Sequence, residues 1–224
     1  MKKLICFVLC VIFMLSLSAC TKKTTTVTPS KTTEKIDVQN VDGTIVGTWM
    51  CEDISKDCYF IFGENGDAYA KWGSCTVYGY YDEYEEDGEY DIDIPGFLFN
   101  IYTATFKDNS MLLVSDSSQY FFERAEMPTI TIDAPDNLKI DEKILGKWAS
   151  ADSYEFYEFK QDGVAFVTDM ANYSTVECRY DCAENTITMY AMATDKRSNV
   201  TELKYEILDG KIKIGDLIYE PVQE

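Results

Sequence analysis

The sequence predicts an all-β fold, on three observations. Tyr, Phe, Ile, Val and Thr dominate the chain beyond about residue 43, and these side chains suit a pleated, half-buried surface; the chain holds 16 Tyr and 12 Phe. Turn-forming pairs punctuate the chain: Asn65-Gly66, Asp87-Gly88, Pro95-Gly96, Asp108-Asn109, Asp162-Gly163, Glu184-Asn185 and Asp209-Gly210. Several of these are hairpin dipeptides between apolar runs. Strict alternation shows in Thr186-Ile187-Thr188-Met189 and Lys211-Ile212-Lys213-Ile214, and no segment carries a long 3.6-residue period. Short strands joined by regular turns predict antiparallel meanders that curl into barrels.

The first element along the chain is a leader. Lys2 and Lys3 precede an apolar run from Leu4 to Leu17, followed by Ser18-Ala19-Cys20. That is the layout of a secretory signal over residues 1–19, and the run is shorter than the ~20 residues of a bilayer span. Leu17-Ser18-Ala19-Cys20 resembles the lipobox of bacterial lipoproteins. The resemblance implies that Cys20 becomes the mature N-terminus and carries a diacylglycerol thioether. It places the protein on the extracytoplasmic face of the cell membrane, held by acyl chains.

Residues 20–42 follow as a linker. Thr21 to Thr33 is almost wholly Thr, Lys and Ser, with Val27 and Pro29 between them. Such a stretch buries too little apolar surface to offset the entropy of ordering. It reads as a stalk, and its lysines favour anionic headgroups at short range.

An internal repeat sets the organisation beyond the stalk. Ile45-Val46-Gly47-Thr48-Trp49 recurs as Ile144-Leu145-Gly146-Lys147-Trp148. Tyr59 to Phe62 with Asn65-Gly66 recurs as Phe156 to Phe159 with Asp162-Gly163. Gly88-Glu89-Tyr90 has a weaker counterpart in Cys178-Arg179-Tyr180, and Thr105–Leu113 recurs as Glu206–Ile214. Phe122-Glu123 and Tyr219-Glu220 close the two halves. The predicted domains are 43–125 and 142–224, with 126–141, which holds Pro128 and Pro135, as connector.

A Gly-x-Trp opening the first strand, a second strand ending in Asp/Asn-Gly, and hairpins thereafter resemble small lipocalin-like barrels. The resemblance covers nearly all of both halves. It implies a core role for Trp49 and Trp148, each closing one end of a barrel.

Composition excludes much chemistry. The chain has no histidine, which removes Ser-His-Asp and Cys-His catalysis and the commonest zinc ligand. No phosphate-cradling glycine loop and no Gly-x-Ser-x-Gly elbow is present. The formal charge is −19; loss of Lys2 and Lys3 with the leader makes it −21. So acidic a surface repels nucleic acid and suits cationic partners, or serves solubility.

Acidic residues concentrate in Tyr80–Asp93, expected as a long solvated hairpin loop. Glu83-x-Glu85-x-Asp87-Gly88 imitates the front of a calcium loop, but its twelfth position is Ile94 rather than Glu. No metal site and no cofactor is expected. Tyr80, Tyr81, Tyr84 and Tyr90 beside this charge form the expected binding surface for a cationic or polymeric envelope partner. No spacing picks out the carboxylate pair that glycoside hydrolysis needs.

Five of the 8 cysteines lie beyond Cys20: Cys51, Cys58, Cys75, Cys178 and Cys182. Cys51 and Cys58 flank a short predicted loop, and a bridge between them is reasonable. Cys178 and Cys182 sit on one predicted strand, ~13 Å apart and too far to bridge. Five buried, reduced thiols is the other reading. The expected function is non-enzymatic binding or interaction at the cell envelope; the alternatives are a carbohydrate- or peptide-binding adhesion module and a small carboxylate hydrolase.

Overall fold

The computed structural model describes residues 43–84, 88–192 and 198–222. The leader, Cys20, the stalk and Glu85–Asp87 lie outside the described residues.

Alternating side chains and tight turns build one strand after another, and the described residues hold no α-helix. β1 (Gly47–Cys51), β2 (Ser55–Phe62), β3 (Asp67–Trp72), β4 (Cys75–Glu83), β5 (Glu89–Ile94), β6 (Leu98–Lys107), β7 (Ser110–Val114) and β8 (Gln119–Arg124) pair antiparallel in sequence order. β8 returns to β1 through Trp49↔Arg124 and Met50↔Glu123, which closes an eight-stranded barrel; within it β5 pairs with β4 only from Tyr80 onward.

Gly79 lets β4 and β5 lie close together. A Cβ there would overlap the Asp93 carbonyl, so only glycine lets β5 pass this close to β4. The hairpin turns also need left-handed backbone. Asp108 takes φ 52°, and Glu184 and Asn185 take 49° and 59°, a conformation that Asn and Asp tolerate best among non-glycine residues.

Further strands follow: β9 (Gly146–Ala149), β10 (Glu155–Phe159), β11 (Val164–Asp169), β12 (Ser174–Ala183), β13 (Thr186–Met192), β14 (Ser198–Leu208), β15 (Lys211–Ile214) and β16 (Leu217–Pro221). They repeat the neighbour order of β1–β8, and β16 pairs with β9 through Glu220↔Ala149 and Pro221↔Trp148. A 3-10 turn at Glu142–Ile144 leads into β9, capped by Asp141, whose carboxylate accepts from Lys143 N at 3.0 Å.

Each half buries its own cluster. Trp49, Phe60, Phe62, Leu98, Met111, Leu113 and Phe122 are buried in the first; Trp148, Phe159, Tyr180, Ile187, Ile212 and Tyr219 in the second. Both tryptophans serve the core as expected. Each indole N–H donates at 2.7 Å to the backbone of the residue four earlier, Ile45 O or Ile144 O. A buried indole thereby keeps its polar handle satisfied. The Arg124 guanidinium lies 3.9 Å above the Trp49 ring.

Two expectations are corrected. Most of Tyr80–Asp93 is not loop: Tyr80↔Asp93, Tyr81↔Ile92, Asp82↔Asp91 and Glu83↔Tyr90 are strand pairs. The counterpart of Tyr180 is Tyr81, not Tyr90. Tyr81 N bonds to Gly66 O and its hydroxyl to Gly63 O; Tyr180 N bonds to Gly163 O and its hydroxyl to Lys160 O. Both phenols tie a strand to the turn between its two predecessors.

The five cysteines are buried thiols. The β1–β2 ladder breaks between Met50 and Cys51, so Cys51 pairs with Ser55 rather than with Cys58. Burial pushes the Cys58 and Cys178 thiols up to about 12.

Candidate functional site

The outer face of β3–β4 carries the expected tyrosine surface in altered form. Side chains alternate along β4, so neighbours in sequence face opposite ways. Tyr80 points outward and is 50% exposed, and Tyr84 is 42% exposed. Tyr81 points inward, is 7% exposed, and packs edge-on against Phe62 at 5.3 Å. Tyr90 is half-buried, 6.2 Å from the Tyr81 ring and against the core. Tyr81 therefore lies off the expected surface and Tyr90 at its margin, while Tyr78 is 44% exposed on the same face as Tyr80.

Acids surround this face. Tyr80 pairs with Asp67 on β3 and Asp93 on β5. The Asp93 charge is the main cause that raises the Tyr80 phenol above its ordinary pKa. Tyr69 donates to Asp67 at 3.1 Å and meets Tyr78 edge to face at 5.5 Å. Among the described residues, no group of three or more His, Cys, Asp or Glu is placed to hold a metal ion.

A second feature had no signal in the sequence. β4 and β12 pair antiparallel through Cys75↔Val176, Thr76↔Thr175 and Val77↔Ser174. Counting back along both strands from Tyr81 and Tyr180 makes Thr76 the counterpart of Thr175, so the two halves meet about a local two-fold axis at that pair. Two hydrogen bonds obey it: Tyr78 N donates to Tyr173 O at 2.8 Å, and Glu177 N to Ser74 O at 2.9 Å. This is the self-complementary contact of a symmetric dimer, held within one chain. Ser74 braces it, with its buried hydroxyl accepting from Met192 N at 3.0 Å.

Above this seam lies a groove of about 490 Å³. Lys71, Thr76 and Tyr78 form one wall, Phe166, Thr175 and Glu177 the other, and Met127–Ile130 of the connector runs along it. The two-fold relates the walls, but the connector passes only once, so the groove is one site rather than two. Glu177 and Lys71 are the charged groups of its lining. A smaller, more apolar groove of about 280 Å³ lies on the outer face of β10–β11, where Phe156, Phe166 and Met170 meet. Sequence reading passed over the larger groove because its residues are ordinary threonines and single charges. The one available clue is that repeated halves tend to pack on equivalent surfaces. No protein-family model matches this sequence, and no curated protein matches it either.

Proposed function

We propose that this chain is a non-enzymatic protein of the cell envelope, anchored by a diacylglycerol on Cys20, whose two lipocalin-like barrels bind partners on their outer faces. The observation that carries this reading is the contrast between inside and outside. The inner faces are filled by the protein's own rings, such as Phe60 against Phe122 at 5.3 Å and Phe159 against Tyr180 at 5.1 Å, as small barrels usually are. Both grooves described above lie outside, lined by outward-facing strand residues. The second barrel is read as a duplicate of the first, from the matching neighbour order of β9–β16 and the paired Trp and Tyr bonds.

The larger groove has one carboxylate in its lining, Glu177, whereas acid–base hydrolysis of a glycoside uses two across the substrate. That favours binding over turnover. The acidic outer face with Tyr80 suits a cationic or polymeric envelope partner, whose affinity falls as salt rises.

The test has two arms. Cys20→Ala releases the protein from the membrane fraction or blocks its processing; retention equal to the parent refutes the anchor. Mass spectrometry of molecules extracted from purified protein finds no lipid; a stoichiometric fatty molecule places the binding site inside a barrel and overturns the outer-face reading.

A further inference from the structure

We propose that the groove over the β4–β12 seam binds a neutral glycan chain, with Tyr78 as the stacking platform. This rests on the reading of the outer faces as the binding surface and names the ligand class.

Four observations select that class. The first is charge. The mature protein carries a large negative charge, yet the groove lining presents one ammonium and one carboxylate, Lys71 and Glu177. The pair cancels, so the lining does not select a strongly charged ligand of either sign.

The second is hydrogen bonding. Thr76, Thr129 and Thr175 lie in the lining; the Thr175 hydroxyl shares a bond with that of Thr168 at 3.0 Å, and a threonine hydroxyl can both donate and accept. Lys71 adds donors and Glu177 adds acceptors. That mixture fits a ligand whose own groups are hydroxyls.

The third is the aromatic wall. Tyr78 is 44% exposed, and its ring packs against that of Tyr69 with an interplanar angle of 82°. A ring fixed in this way offers a preformed electron-rich face. The polarised C–H groups on the flat side of a sugar are its natural complement.

The fourth excludes the nearest rival. An extended peptide commonly binds by adding a strand to an exposed sheet edge. Here the edges are taken, because β4 and β12 pair with each other along the floor. Tyr78 N and Glu177 N are also spent on bonds across the seam. A peptide would have to bind without the backbone ladder that supplies most of its affinity in that mode.

The groove's volume of about 490 Å³ lies within the usual range of ligand sites. The single connector pass gives it a direction, with Met127, 41% exposed, on one flank. A chain-like ligand therefore has one preferred polarity, although the floor beneath it is symmetric.

The experiment titrates the mature, unlipidated chain with maltotetraose, cellotetraose and chitotetraose by calorimetry. At least one binds the parent protein. Tyr78→Ala weakens that binding about tenfold or more, and Met127→Glu, an exposed change outside every strand, weakens it as well. Phe99→Ala, at an exposed aromatic on β6 outside both grooves, leaves it unchanged. Circular dichroism verifies that each variant is folded. Binding of none of the three, or binding that Tyr78→Ala and Met127→Glu leave intact, overturns the glycan groove. Sedimentation with purified envelope polymers separates the two claims. Polymer retained equally by the parent and by Tyr78→Ala overturns the groove but leaves the binding role standing. Polymer retained by neither overturns both.

Discussion

Phe60 and Phe122 in the first barrel stand where Tyr157 and Tyr219 stand in the second half. Phe60 faces Trp49 across the ladder, as Tyr157 faces Trp148. The two ring pairs keep the same geometry, at 5.3 Å and 88° in one and 5.2 Å and 84° in the other. What changes is the chemistry around them. Two residues before Phe60 is Cys58, buried among apolar neighbours. Two residues before Tyr157 is Glu155, whose carboxylate accepts from Tyr219 at 3.4 Å and from Tyr157 at 3.5 Å. The scaffold needs two crossed rings here and tolerates hydroxyls where a carboxylate comes with them. A buried hydroxyl is harmless with an acceptor and costly without one.

The largest test of the comparison is Trp148→Ala. Removing this buried aromatic costs about 3–5 kcal/mol, enough to unfold a small domain. Trp49 and Trp72 then report the first barrel alone. Their fluorescence transition stays where it was while circular dichroism shows the second half already lost. A single concerted transition would show instead that the two halves share one cooperative unit.

A reciprocal exchange sharpens the comparison at smaller cost. Phe122→Tyr places a hydroxyl in a wholly apolar site and costs about 1–3 kcal/mol. Tyr219→Phe removes a donor from Glu155 and costs about 1 kcal/mol. Denaturant midpoints check both. A stabilising Phe122→Tyr would mean that the first barrel holds an acceptor within reach of that position.

The mildest effect is the order of alkaline unfolding. Burial raises the phenols of Tyr180, Tyr205 and Tyr219 in the second half more than those of Tyr69, Tyr81, Tyr90 and Tyr102 in the first, and Glu155 raises Tyr219 further. A phenol whose folded pKa lies above its unfolded value, near 10, contributes fully below that pH and loses its contribution as pH rises through it. Cys58 and Cys178, raised from 9.0 to about 12, add similar losses between those values, one in each half. The second half should therefore open first, seen as phenolate absorbance rising before Trp49 and Trp72 fluorescence changes. The reverse order would show that the first barrel's core is the weaker one.

Much of this was legible in the residues. The turn pairs at Asn65-Gly66, Asp162-Gly163 and Asp209-Gly210 lie between strands because their backbone requirements are local. Gly-x-Trp marked the matching first strands, since a Trp needs a core wherever its neighbours go. The acidic stretch misled because charge was read as loop. In β4 and β5 Asp82, Glu89, Asp91 and Asp93 occupy outward positions, Tyr81, Ile92 and Ile94 carry the inward ones, and Glu83 shares the Tyr81 side only at the exposed end of β4. Alternation held the answer for Tyr81, one residue from the exposed Tyr80.

The seam was out of reach for a different reason. β4 offers its edge to β12 only over Cys75–Val77, because β5 does not begin to pair with it until Tyr80. That free stretch depends on where two strands of a closed ring part company. Local preferences of tyrosine, glycine and threonine were enough to specify strands, turns and a repeat. Which Thr met its own counterpart, and that a connector crossed above the pair to make a groove, was decided only when both sets of strands had fixed their registers.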